Sequence, residues 1–156
     1  MNNNRVLIKR ITLKIAKYKI GYNKRVESMQ LVNALITELW NRNENVSAIT
    51  ILANSNHSII YQTNNWDLSA DIGTILNTWT SQGGSIEVQG IRYSTLQCTP
   101  ERLICRNVRG QGAIVAAKEG NIIGVAYLLP DADVGGSYVD VARCVGAINK
   151  EIGNNY

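Results

Sequence analysis

Between residues 85 and 128 the sequence alternates short apolar segments with turn-forming residues, which restricts the fold more than any other feature. Five segments have the length of a β-strand, namely 85–89, 91–97, 102–108, 113–117 and 121–128. They are separated by turn residues, which are Gly90, Thr99-Pro100, Gly110-Gln111-Gly112 and Glu119-Gly120. Because such short connections join antiparallel neighbours, the pattern predicts an antiparallel meander.

Three amphipathic segments surround these strands. Apolar residues recur at helical spacing over residues 28–41, 67–79 and 134–152, with Ser28 and either Asp67 or Ser69 as expected N-caps. Two further strands are predicted at 46–53 and 58–62, joined by a polar turn. The order helix, two strands, helix, five strands, helix predicts an α+β domain in which helices cover the faces of one sheet.

The first 27 residues hold most of the positive charge. They contain eight basic residues and one acid, whereas residues 28–156 contain eight basic and eleven acidic residues, so the first segment is +7 and the rest −3. A fold that reads nucleic acid needs Lys and Arg clustered on the folded domain. Nucleic acid is therefore an unexpected partner.

Residues 1–27 are predicted to form a basic, flexible extension in front of a domain at 28–156. A helix would place four apolar residues on one face, namely Leu7, Ile11, Ile15 and Tyr18. A strand would place three on one face, namely Ile11, Leu13 and Ile15. The pattern leaves helix and strand open, and Gly21 and Asn23 are typical of a linker.

The cysteines and the only histidine predict no metal site. Cys98, Cys105 and Cys144 are an odd number without a CxxC pair, which disfavours a disulfide framework and zinc. Cys105 and Cys144 stand among apolar residues, so we expect them to be buried free thiols in a reducing cytoplasm. His57 lies in a predicted turn and has no second histidine with which to bind a metal.

The remaining polar motifs have structural explanations. Asp131 and Asp133 precede the last helix, where a negative charge interacts favourably with the helix dipole. Gly110-Gln111-Gly112 lacks the ending of a phosphate-binding loop and predicts a tight turn. Since no nucleophile is paired with a base, the sequence predicts neither an enzyme nor a cofactor.

Arginines gather around one predicted strand. Arg102 and Arg106 share a face of that strand, Arg109 follows in its turn, and Arg92 lies on the preceding strand. The pattern fits a solvated sheet face, and it also fits a binding surface, where arginine is enriched.

Several segments, in this order, resemble the profilin family. The helix opening at Ser28-Met29-Gln30 and the stretch 59–66 are similar to the first helix and second strand of profilins. Further similar motifs are Gly90-Ile91-Arg92-Tyr93, Arg109-Gly110-Gln111-Gly112, Pro130 and Gly135-Gly136-Ser137. The resemblance covers residues 28–152, needs no gap over residues 103–127, and is greatest to divergent archaeal, Asgard-type profilins.

The resemblance implies both a fold and a function. The terminal helices would pack on one face of a central antiparallel sheet and the middle helix on the other. The protein would bind monomeric actin and regulate its polymerisation, as a cytoplasmic, cytoskeleton-associated monomer. The implied actin contacts are Arg92, Ser94, Arg106, Arg109, Gln111, Val134, Gly135, Gly136, Ser137, Asp140 and Arg143.

Two further partners follow from the resemblance and the extension. Many profilins bind proline-rich peptides with stacked aromatics, and the corresponding positions here are Met29, Val32, Trp40, Tyr61 and Tyr156. Met29 and Val32 replace the family's Trp and Tyr. The basic extension could bind anionic phospholipids such as phosphoinositides, through Lys9, Arg10, Lys14, Lys17, Lys19, Lys24 and Arg25. It could also contact acidic actin surface, fold over the domain, or remain a disordered tail.

A roadblock-type homodimeric scaffold for small GTPases is the alternative prediction. That family has a similar order of helices and strands and pairs through a sheet edge. The long series of strands and the glycine turn favour the profilin interpretation.

Overall fold

A computed structural model describes the backbone of residues 2–156 and the side chains of residues 3–156. Helix α1 runs over Asn2–Arg42 and helix α2 over Ile72–Ser81. Helix α3 runs over Val134–Ile152 and continues into a short 3-10 turn at Gly153–Asn155. The seven strands are β1 Val46–Ala53, β2 Ile59–Gln62, β3 Ser85–Val88, β4 Ile91–Thr99, β5 Arg102–Arg106, β6 Ala113–Glu119 and β7 Ile122–Leu128.

The chain divides into two compact units, residues 1–34 and residues 35–156. The sequence-based boundary at residues 27–28 lies a few positions earlier. The second unit contains the last two turns of α1 and all seven strands.

The first unit is helical over its whole described length. Helix α1 is continuous from Asn2, which decides between the helix and the strand that the sequence left open. The linker predicted at Gly21 and Asn23 and the N-cap predicted at Ser28 are wrong, because all three residues lie within the helix. A single glycine costs a helix only about 1 kcal/mol, and no proline interrupts this segment.

All strands of the second unit belong to one antiparallel sheet. Its order is β2-β1-β7-β6-β5-β4-β3, so the meander from β3 to β7 is confirmed and β1 pairs with the last strand. Strand β4 contains a bulge between Thr95 and Gln97. The sheet and its helices confirm the α+β class predicted from the sequence.

Helix α2 covers one face of the sheet. Its buried side chains, Ile72, Ile75, Leu76 and Trp79, belong to a core cluster with residues of every strand from β3 to β7. The caps predicted at Asp67 and Ser69 are wrong, because α2 begins at Ile72. Instead, the Asp67 carboxylate accepts hydrogen bonds from the backbone N–H and the hydroxyl of Ser69, which lower the pKa of Asp67.

Helix α3 packs on the opposite face, against β6 and β7. Gly124 of β7 lies directly beneath Val145 of α3, where a methyl group would collide with that side chain. The last two turns of α1 lie beside α3, since the Cys144 thiol donates a hydrogen bond to the Leu35 carbonyl at 3.7 Å. Two helices on one face and one on the other match the expected arrangement.

Candidate functional site

Three of the predicted contact residues share one face of the sheet. Ser94 of β4 pairs with Arg106 of β5, so the two side chains point to the same side. Arg92 precedes Ser94 by two residues and therefore faces that side as well. We call Arg92, Ser94, Arg106, Arg109 and Gln111 the strand half of the site.

The turn that follows β5 is held by one buried side chain, Asn107. Its amide group donates a hydrogen bond to the Arg92 carbonyl at 2.8 Å. Its side-chain oxygen accepts hydrogen bonds from the backbone N–H groups of Arg109 at 2.8 Å and Gln111 at 3.1 Å. The side-chain oxygen of this buried amide thus accepts two hydrogen bonds and its NH2 group donates one. The turn is fixed in relation to β4, and Arg109 and Gln111 are presented from a rigid base.

Gly112 closes this turn. Its φ of +99° lies in the region that favours glycine, and an added Cβ would collide with Tyr127 and the Leu128 carbonyl. The Tyr127 hydroxyl donates a hydrogen bond to the Gln111 carbonyl at 3.1 Å, which ties the turn to β7. The tight turn predicted from the glycines is confirmed.

The strand half borders an open groove of about 430 Å³. The groove is lined by Gly90, Ile91, Arg92, Ser94, Asn107, Val108, Arg109 and Gln111. The side chains of Arg92 and Arg109 are exposed and form no hydrogen bond or ion pair with any residue in 3–156. Two guanidinium groups at this groove are therefore available to an acidic partner.

The helix half of the site consists of Val134, Gly135, Gly136, Ser137, Asp140 and Arg143. Gly135 and Gly136 are exposed, whereas Ser137 is buried. The Asn43 amide group donates hydrogen bonds to the Ser137 hydroxyl at 3.0 Å and to the Asp140 carboxylate at 3.1 Å. The polar side chains on this side of α3 are thus already bound within the domain.

Both halves meet at the start of α3. The Arg106 guanidinium donates a hydrogen bond to the Ala132 carbonyl at 3.4 Å, just before the helix. The Arg102 guanidinium lies 4.4 Å from the centre of the Tyr138 ring, a cation–π contact. Strands β4 and β5 and the first turns of α3 therefore form one continuous surface.

Most arginines of the domain are concentrated at this surface. Five of the eight basic residues in 28–156 lie on it or at its border, namely Arg92, Arg102, Arg106, Arg109 and Arg143. Asp140 lies 3.8 Å from Arg143 and partly offsets that charge. Glu87 of β3 lies opposite Arg92 across the strand pair, while neither Arg92 nor Arg109 forms an ion pair with any residue in 3–156.

Comparison with known proteins gives relatives over most of the chain. Thor profilin from Thorarchaeota archaeon (strain AB_25) is 33% identical over 120 residues, which cover 74% of this chain and 93% of that protein. Odin profilin from Odinarchaeota yellowstonii (strain LCB_4) is 34% identical over 93 residues, covering 59% of this chain and 76% of the relative. This chain belongs to the profilin family. No family model matches it.

Solved profilins share the fold. The Loki profilin 2 chain in its complex with rabbit actin superposes with a TM-score of 0.69 at 27% identity, covering 79% of this chain and 96% of that one. Acanthamoeba castellanii profilin IB has a TM-score of 0.58 at 15% identity, over 72% of this chain and 90% of the other, a likeness of fold alone. The roadblock-type alternative is not favoured by these relatives.

The residues predicted for polyproline binding lie in both units of this profilin. Met29 and Val32 belong to the first unit, where Met29 is exposed and Val32 fully buried. Trp40 and Tyr61 are half-buried and Tyr156 is exposed. Polyproline binding by these residues stays a prediction.

The cations predicted to bind lipid all lie on α1 and are exposed, namely Lys9, Arg10, Lys14, Lys17, Lys19, Lys24 and Arg25. No helix in the described part of the chain is both long and apolar enough to cross a bilayer. Residues 3–156 also contain no cluster of His, Cys, Asp and Glu that could hold a metal ion.

Two of the cysteines near the candidate surface are buried, namely Cys105 and Cys144. Burial raises the pKa of Cys105 on β5 to about 11 and that of Cys144 on α3 to about 11. A thiol is a nucleophile only as its thiolate. At neutral pH these cysteines are therefore packing residues.

Sequence reasoning missed several residues of this surface. Asn107 and Asn43 support the two halves through partners that are far away in the sequence. Leu96 is 57% exposed at the bulge of β4, and Val108 is 83% exposed in the turn. Asn107 lies inside the segment predicted as a strand at 102–108, so its role in the turn had no signal in the sequence.

Proposed function

We propose that this profilin binds monomeric actin through the surface formed by β4, β5, the turn at residues 107–112 and the start of α3. The relatives support the partner, since Loki profilin 1 and Loki profilin 2 were each solved in complex with rabbit actin. The observation that carries the proposal is the junction of the two halves at Arg106 and Ala132.

The surface suits docking rather than chemistry. Exposed Val108 and Leu96 supply apolar contact area, while Arg92 and Arg109 supply charge. Gly135 and Gly136 let a partner backbone approach α3 closely. The proposal is therefore a protein–protein contact in which no bond is made or broken, within the cytoplasm and its actin cytoskeleton.

Binding at this surface would sequester actin monomers. We expect the full chain to co-migrate with monomeric actin in gel filtration and to slow spontaneous nucleation of pyrene-labelled actin. The control is the full chain with Arg109→Glu, which should co-migrate less and slow nucleation less. Unchanged nucleation at saturating protein, with no co-migration, would contradict the proposal.

A further inference from the structure

Within residues 2–34, helix α1 exposes long apolar side chains. The exposed fractions are 56% for Leu7, 49% for Ile11, 52% for Ile15, 74% for Tyr18 and 59% for Tyr22. Their spacings of 4, 4, 3 and 4 place them in one stripe, about 80° wide at 3.6 residues per turn. A contiguous exposed apolar stripe of this kind marks a place where another surface docks.

Basic residues border the stripe without local compensation. By helical geometry, Lys14 and Arg25 lie along one edge of the stripe and Lys19 lies along the other. The ion pairs of the described residues are Arg42–Glu38 and Arg143–Asp140, both outside this unit. The helix thus combines an apolar stripe with a net charge of +7 over residues 1–27.

We propose that α1 lies along an anionic membrane surface, with the stripe at the boundary between headgroups and acyl chains. Lys and Arg beside the stripe would then meet the lipid phosphates. This membrane contact uses residues 5–26 and goes beyond the proposed actin binding by residues 35–156.

Charge complementarity selects this occupant over two others. A second copy of the helix would bring one +7 segment against another, which repels. A nucleic acid would use the cations but would leave Ile11, Ile15 and Tyr18 in water. An anionic bilayer would contact both the cations and the stripe, and it would leave in water only the apolar side chains of the other faces, such as Leu13 and Ile20.

Vesicle co-sedimentation of the full chain tests this. We expect binding to vesicles of phosphatidylglycerol and phosphatidylcholine, and little binding to phosphatidylcholine alone. Ile11→Ser with Ile15→Ser should lower the partition coefficient by at least about tenfold, because two side chains lose their apolar burial. Leu13→Ser with Ile20→Ser is the matched control, since these residues are equally exposed on the opposite face, and it should change binding by less than about threefold.

Charge variants complete the experiment. Lys14→Gln and Lys19→Gln should each weaken binding by about fivefold, and added salt should weaken binding further. Three outcomes would overturn the proposal. In the first, the stripe variant and the control variant would bind vesicles equally. In the second, the chain would bind polyuridylate as strongly as vesicles, and Ile11→Ser with Ile15→Ser would change neither affinity. In the third, light scattering would show a dimer that those two substitutions dissociate.

Discussion

The strand half and the helix half of the candidate surface are each organised by one asparagine, but to opposite effect. Asn107 uses its amide to fix a turn, which leaves the Arg109 side chain free. Asn43 uses its amide to bind Ser137 and Asp140, which removes those polar groups from the surface. The strand half therefore offers charge to a partner, whereas the helix half offers small residues and a close approach.

The largest effect is expected from reversing a free cation of the strand half. Arg109→Glu should weaken actin binding by between about 10- and 100-fold, because one charge-assisted contact is lost and a repulsion is added. Lys150→Glu is the matched control, an exposed cation at the far end of α3, and should have little effect. Isothermal titration with monomeric actin measures the affinity of both variants. An equal loss of affinity in the two would contradict a special role for the strand half.

Substitution of the two asparagines should affect stability alike but actin binding differently. Asn107→Ala and Asn43→Ala should each lower the free energy of unfolding by about 1–3 kcal/mol, since each leaves polar groups without partners. Only Asn107→Ala should also weaken actin binding, by about tenfold, because Arg109 and Gln111 lose their fixed base. Urea unfolding and titration measure the two quantities, and Asn64→Ala, at an exposed turn, is the control. If Asn43→Ala weakened binding more, the assignment of roles would be reversed.

Close approach to the helix half can be blocked without harming the fold. Gly135 is the second residue of α3, and the nearest atom to an added Cβ would be the Asp133 carboxylate oxygen at 3.9 Å. Gly135→Ala should keep or raise stability by up to about 1 kcal/mol and weaken actin binding by about fivefold. Gly73→Ala is matched, since Gly73 is the second residue of α2 with open space around it. Equal affinity of both variants would show that no partner approaches α3 closely.

The smallest effect on actin binding is expected from the buried thiols Cys105 and Cys144, which act on stability alone. Cys105 and Cys144 have pKa values raised to about 11, so the folded state keeps their protons at pH values where the unfolded state loses them. Stability should therefore be intact below about pH 9 and decline as the pH rises towards 11. Chemical denaturation across this range measures the decline, and Cys105→Ala with Cys144→Ala should reduce it. A pH-independent stability in both proteins would contradict the assignment.

Local sequence patterns predict the helices and strands of the second unit, but they do not predict the side chains that hold the candidate surface in place. The stripe from Val134 to Ile152 and the glycine turn each describe contacts within a short segment, so the sequence located α3 and the turn. Asn43 donates hydrogen bonds to two residues that follow it by 94 and 97 positions, Ser137 and Asp140. Asn107 donates to a carbonyl that precedes it by 15 positions. Such long-range contacts leave no periodic pattern in the sequence.

In the first unit, by contrast, even the local pattern does not determine the secondary structure. Apolar and basic residues alternate there in a way that suits both a helix and a strand, so periodicity could not decide between them. Gly21 predicts a linker because glycine is a poor helix former, whereas the helix-forming residues around it continue α1 through this position.

Amide hydrogen exchange of the full chain, with and without monomeric actin, tests the central claim most directly. Slower exchange in residues 91–99, 102–112 and 134–143, with unchanged exchange in α2, is the result expected if the two halves form one docking surface for actin. Protection confined to α2, or to one half alone, would contradict it.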